Sequence, residues 1–274
     1  CSSDLSGNAV FGDDNRAEGT LTGNLIVGNR NNASGTATGN AVFGDDNRAE
    51  GTLSGNLIVG NRNNASGTAS GNAVFGDDNR AEGTLTGNLI DGSRNSASGT
   101  ASGNLVSGSD NIAQGTGSGN AVDGDSNKAI GTLSGNVVEG SNNKVFGDAS
   151  GNFVTGDRNT ANSFLSGNFV NGNDNNAYGT LSGNVVNGDR NTADGDLSGN
   201  LILDGSDNRA EGTLSGNLII GNRNNASGAA TGNAVFGDDN NAQGTLSGNI
   251  IDGSRNSASG TASGNLVSGS DNIA

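Results

Sequence analysis

Hydroxyls, carboxylates and amides recur along this chain at an interval of sixteen residues. Thr20-Leu21-Thr22 returns as Thr36-Ala37-Thr38, Thr52-Leu53-Ser54 and Thr84-Leu85-Thr86. Residues i and i+2 of a strand face one side. Thr20, Thr36, Thr52 and Thr84 therefore read as one outward hydroxyl file, with Thr22, Thr38 and Thr86 as a second beside it. Such files form a lattice of hydrogen-bonding groups, not an activated nucleophile. A hydroxyl nucleophile needs an adjacent base, and the sequence has no His. Catalysis also needs one unique constellation, which a repeated feature does not supply. No catalytic residue and no enzymatic activity are expected.

The acidic corner Gly12-Asp13-Asp14-Asn15 resembles a fragment of a calcium loop. Arg30 and Arg62 occupy the Asp14 position in alternate repeats, and the Gly-Gly-x-Gly-x-Asp nonapeptide of calcium-binding β-rolls is missing. No cofactor is expected; solvated acidic corners and weak Ca2+ sites are the alternatives. Asn32, Asn64 and Asn225, each followed by Ala-Ser, match the N-glycosylation signal. Cys1 is the only cysteine, so no intrachain disulfide forms. It reads either as a lipid-modified N-terminal residue or as a filler of the slot held by Ala17 and Ala33.

The elements that position these groups follow from the repeat. Only the step from Gly199-Asn200 to Gly216-Asn217 is one residue longer than sixteen. A unit this short cannot bury its own apolar face, but stacked units can. Glycine at every corner excludes a continuous helix. Short strands around Ala9-Val10-Phe11 and Arg16-Ala17-Glu18 fit the pattern. The expected fold is an all-β parallel β-solenoid (β-helix or β-roll) of sixteen residues per turn and about seventeen turns, on the order of 80 Å long at ~4.8 Å per turn. Residues 1–274 read as a single repetitive body, either a segment of a longer array or a fibre protomer. Asp91 to Ala113 recurs unchanged at Asp252 to Ala274, and Cys1 and Ala274 fall on the same slot; copies stacked end to end would continue in phase.

Within a turn, the slot of Val10 and Ile26 is always Val or Ile and forms an inward ladder. The slot of Ala17 and Ala33 is a tight wall. Asn8 and Asn24 at one corner, and Asn15 and Asn31 at another, stack as amide ladders. Asp14, Arg30, Asp46 and Arg62 alternate in sign, which predicts a continuous ion-pair ladder that avoids like charges in adjacent turns. Phe11, Val27, Phe43, Val59 and Phe75 occupy the outward position after the Val10 slot and are the candidates for self-association. The Ala9 slot, apolar in every turn, is placed at a corner of the core.

The net charge of -15 argues against nucleic-acid backbone as a partner. No apolar run approaches the roughly 18 residues of a membrane span. The expected partner is the chain itself, and then a cell surface or matrix.

Half of each turn, such as Gly12-Asp13-Asp14-Asn15-Arg16-Ala17-Glu18-Gly19, resembles the G-x-x-[NS]-x-A-x-G modules in the β-roll heads of trimeric autotransporter adhesins. Those modules recur about every seven residues, whereas here seven alternates with nine, and no trimerising neck is present. The resemblance implies an extracellular or cell-surface adhesive stalk. The Thr-x-Thr files resemble those of ice-binding β-solenoids, which implies an ice-binding module as the alternative. The sixteen-residue period is shared with bacterial ice-nucleation repeats, without their Gly-Tyr-Gly-Ser-Thr signature.

Overall fold

In the computed structural model, residues 9–23, 25–264 and 266–274 are described. Cys1, Asn8 and Asn24 lie outside the described residues. The chain divides into two units, Cys1–Val137 and Val138–Ala274, where the repeat alone reads as one body. Each unit is an all-β parallel β-solenoid of sixteen residues per turn, and no helix occurs among the described residues.

One turn of the first unit shows the construction. Ala41–Phe43 forms the first strand and Arg48–Thr52 the second. Each pairs in parallel with its equivalent one turn away, Val42 with Ile58 and Ala49 with Ala65. The second unit repeats this, with Val170 on Val186 and Ala177 on Ala193. Residue i therefore sits beside residue i+16, or i+17 across the one longer turn, where Ala193 pairs with Ala210, and the backbone hydrogen bonds of each turn go to the next.

Strand alternation decides what points inward. Val42, Ile58, Val74 and Ile90 form one buried ladder, and Ala33, Ala49, Ala65 and Ala81 face them as the other. The core is two side chains deep, so methyl-sized differences matter. Gly55 shows how tight it is: its φ is +59°, and a Cβ there would lie 2.6 Å from the Ala49 Cβ. At Gly44 an added Cβ would collide with the Gly60 carbonyl of the following turn. Ala17 and Val10 belong to the same ladders but lie in the first described turn. Val10, paired with Ile26, is 40% exposed.

The second buried layer is polar. Asn31, Asn47, Asn63 and Asn79 are buried in the slot of Asn15. The Asn63 Oδ1 accepts the backbone N–H of Asn79 at 3.0 Å, and its Nδ2 donates to the Gly76 carbonyl at 2.7 Å. Asn31 makes the equivalent bonds, taking the Asn47 N–H and giving to Gly44, and Asn15 does so for Asn31 and Gly28. The side chain thus ties the backbone of its own corner to that of the next turn. A second amide ladder, in the slot of Asn8 and Asn24, runs through Asn40, Asn56, Asn72 and Asn88 with Nδ2 to Oδ1 distances of 2.8–2.9 Å.

Replacing Asn63 by Ala strands a buried N–H and a buried carbonyl, each costing roughly 1–3 kcal/mol. Asn63→Ala is expected to lower stability by about 3 kcal/mol, and Asn56→Ala, at a half-buried corner, by less, as read by urea titration followed by circular dichroism.

Candidate interaction surface

The outward residues divide the first unit into two unlike faces. Flanking the buried Val or Ile of each first strand are two side chains that point away from the core. In the first unit these are Leu25 and Val27, Ala41 and Phe43, Leu57 and Val59, Ala73 and Phe75. In-register pairing stacks them into two apolar columns, with Phe43 between Val27 and Val59. Val27 and Val59 are 36% and 38% exposed, Phe43 and Phe75 are half-buried by these neighbours, and Phe11 reaches 61%. Beyond Phe75 the second column turns polar with Asp91, Ser107 and Asp123.

The expected core position of the Ala9 slot is not what the structure shows. Ala41 and Leu57 are half-buried, Leu89 and Leu105 exposed, because only the middle residue of a three-residue strand faces inward. The flanking apolar column therefore belongs to the surface and widens it. The period-2 spacing around Val42 carried that signal.

The opposite face, made by the second strands, is ionic and internally linked. Arg48 donates to Glu50 two residues on, and the Asn32 Nδ2 reaches the same carboxylate at 2.9 Å from the preceding turn. Arg80, Glu82 and Asn64 repeat the arrangement. Asn32 and Asn64 lie within strands with their amide nitrogens already donating, as does Asn225, whose Nδ2 gives to Asn241.

At the charged corner the expected continuous ladder resolves into discrete pairs. Arg30 grips both carboxylate oxygens of Asp46 at 2.7 Å, and Arg62 those of Asp78. Asp14 acts on Arg30 only through space. A guanidinium fork satisfies one carboxylate in full, so turns are linked two by two. All of these corner residues are left-handed, with φ of 57° at Asp14, 56° at Arg30, 60° at Asp46 and 57° at Arg62. Hydrogen bonding from Arg30 holds the Asp46 carboxyl below the usual carboxylate range, as Arg62 does for Asp78.

The Thr files also differ from the expectation. Thr20, Thr36, Thr52 and Thr84 end the second strands and are exposed, but Thr22, Thr38 and Thr86 are fully buried. The residue between them has left-handed backbone, φ 57° at Leu21, 52° at Ala37 and 54° at Leu53 and Leu85. The chain turns there, so positions i and i+2 no longer share a face. A paired hydroxyl lattice does not form at these positions. The buried slot binds backbone where it can, as when the Ser54 hydroxyl donates to the Glu50 carbonyl at 2.6 Å.

Among the described residues no three His, Cys, Asp or Glu side chains converge in a way that could hold a metal ion. Comparison with known protein families, with curated proteins and with solved structures finds no match.

Thr36→Tyr is expected to change stability by less than about 0.5 kcal/mol, as a surface substitution. Thr38→Tyr forces a ring into the buried layer and should cost more than about 3 kcal/mol, both read as urea midpoints. For the ion pairs, the folded carboxylate binds its proton less readily than the unfolded one. Their stabilisation is therefore present above the unfolded pKa of about 3.9 and is lost as pH falls through the depressed folded value. Asp46→Asn should accordingly be less stable than the parent at pH ~7 in low salt and converge with it towards pH ~2–3.

Proposed function

We propose that this chain is a non-enzymatic structural β-solenoid that acts by lateral association of its apolar face with further copies of itself. The observation that carries this reading is the pair of outward apolar columns, Leu25, Val27, Ala41, Phe43, Leu57, Val59, Ala73 and Phe75, backed by an ionic face. Contiguous exposed apolar surface of this kind marks an interaction site. Side chains alternate small-large and large-medium from turn to turn, which gives a stepped relief for interdigitation instead of a smooth patch. The ionic face satisfies its charges internally and keeps that side solvated, so association is directed to one side.

An extracellular or cell-surface fibre or adhesive stalk is the setting that fits. Support comes from the Gly-x-x-Asn-x-Ala-x-Gly half-turn and its resemblance to adhesin head modules. Repetition supports a non-catalytic role as well, because the buried Asn recurs in an equivalent environment every turn, and the Arg30-Asp46 pair two turns on as Arg62-Asp78.

Sedimentation velocity over a concentration series, with electron micrographs of the same samples, tests the proposal. The parent chain should form larger species as concentration rises. The triple variant Phe43→Ser, Val59→Ser, Phe75→Ser should remain a monomer with an unchanged circular dichroism spectrum. Replacing Arg48 and Arg80 by Gln on the other face should leave assembly intact. A parent chain that stays monomeric throughout contradicts the proposal.

A further inference from the structure

Where every turn repeats its neighbour, a place that repeats nothing stands out, and the second unit has one on its apolar face. Phe153 and Phe169 occupy the same slot in successive turns, their rings stacked with centroids 5.0 Å apart and planes 4° from parallel. That separation is close to the ~4.8 Å rise, so the ring faces look along the solenoid axis. In the next turn the slot holds Val185, which pairs in register with Phe169 but ends well short of a ring. The stack stops there, and Phe169 remains 53% exposed, lining a groove together with Val185.

Two further departures border the same spot. Alongside the aromatic column the outward slot holds amides: the Asn171 Nδ2 donates to Asn187 at 3.4 Å, and the Asn187 Nδ2 donates to Asp204 at 2.9 Å. The next turn contains the one additional residue of the repeat. Register holds at Val185 with Leu201 and Val186 with Ile202 and then lapses. Asp204 sits in a left-handed bulge, φ 51°, and the backbone bond from Gly205 to Asn187 stretches to 3.4 Å. Leu203, just before the bulge, closes the far end. The result is a groove of about 440 Å³ lined by Phe153, Phe169, Val185, Asn171, Asn187 and Leu203 among others. This lies within the size range of small-ligand sites.

We infer that this notch is a binding site for one ring of a neutral saccharide, independent of the self-association proposed above. The open Phe169 face and the Val185 floor suit the apolar C–H face of a pyranose. The amide wall supplies donors and acceptors at the height of its equatorial hydroxyls, with one Asp204 oxygen already fixing Asn187 in place. A purely aromatic guest would match the ring face and leave the amides to water. The chain's net charge of -15, with Asp204 held against Asn187 at the end of the amide wall, disfavours anionic sugars. An array of identical turns offers no such junction of aromatic face, amide wall and end stop.

The test is an NMR titration of the full chain, held at a concentration where it is monomeric. The probes are cellotetraose and chitotetraose as neutral saccharides, a uronic-acid oligomer as the anionic control, and p-cresol as a ring without a hydroxyl rim. At least one neutral saccharide should give saturable shifts at Phe169, Val185 and Asn187. Phe169→Leu should weaken binding about tenfold through loss of the aromatic face. Val185→Phe, which extends the ring stack into the notch, should abolish binding while leaving the spectrum elsewhere unchanged. The inference is overturned if no neutral saccharide saturates, or if Val185→Phe binds as well as the parent. It is equally overturned if p-cresol binds at the notch in preference to the saccharides, which would make this a seat for an aromatic side chain of a protein partner.

Discussion

Vertical superposition of side chains is the constraint from which the rest follows. Each residue rests on its counterpart one turn away, so every slot must hold something compatible with a copy of itself or with a fixed partner. Val and Ile can stack on Val and Ile, and Ala on Ala. Asn can stack on Asn because an amide carries both donors and an acceptor: the buried Asn63 accepts from Asn79 and donates to Gly76 in the following turn, and donates to the Asn47 Oδ1 in the preceding one. Charged residues cannot follow that rule, and the doubled period is the result. Asp alternates with Arg at one corner position and with Asn beside it, where the Asn29 backbone N–H donates to Asp45 and the Asn61 amide to Asp77. On the ionic face Arg-Glu turns alternate with Asn-Ser turns for the same reason.

A thin core shifts the source of stability. Two buried aliphatic positions per turn supply modest hydrophobic burial, and the polar layer beside them is fully engaged at the Asn positions. Buried polar groups satisfied in this way specify one register, since a slip by one residue would leave an amide without its carbonyl. The exposed Arg-Asp pairs contribute little energy individually but distinguish a two-turn slip from a one-turn slip. With register fixed from within, the outward residues are free to differentiate, and they separate into an apolar face and an ionic one.

Much of this was legible in the sequence because periodicity reports stacking directly. The sixteen-residue interval, the Val10 and Ala17 slots and the Asn ladders translate into the observed core without adjustment. What stayed hidden lies at the corners, where backbone conformation overrides residue type. Leu21 and Leu53 adopt a left-handed conformation that Leu rarely takes, and this turns Thr22 and its equivalents inward. One clue stood in the chain: Gly117 occupies that slot in Thr116-Gly117-Ser118 and is also left-handed, with φ of 62°. The pairing of Arg30 with Asp46 over Asp14 depends on side-chain direction, which spacing alone does not encode. The apolar surface was half legible: the Phe column was visible as outward, while the Leu and Ala column beside it looked like core because it is apolar throughout.

Spin-label proximity reads out whether residue i lies directly beside residue i+16. Labels placed by Arg48→Cys and Asn64→Cys, with Cys1→Ser to remove the native thiol, would sit on paired positions of adjacent second strands. The continuous-wave EPR spectrum should be strongly broadened by dipolar and exchange coupling between the two labels. A spectrum equal to the sum of the two singly labelled proteins would contradict it.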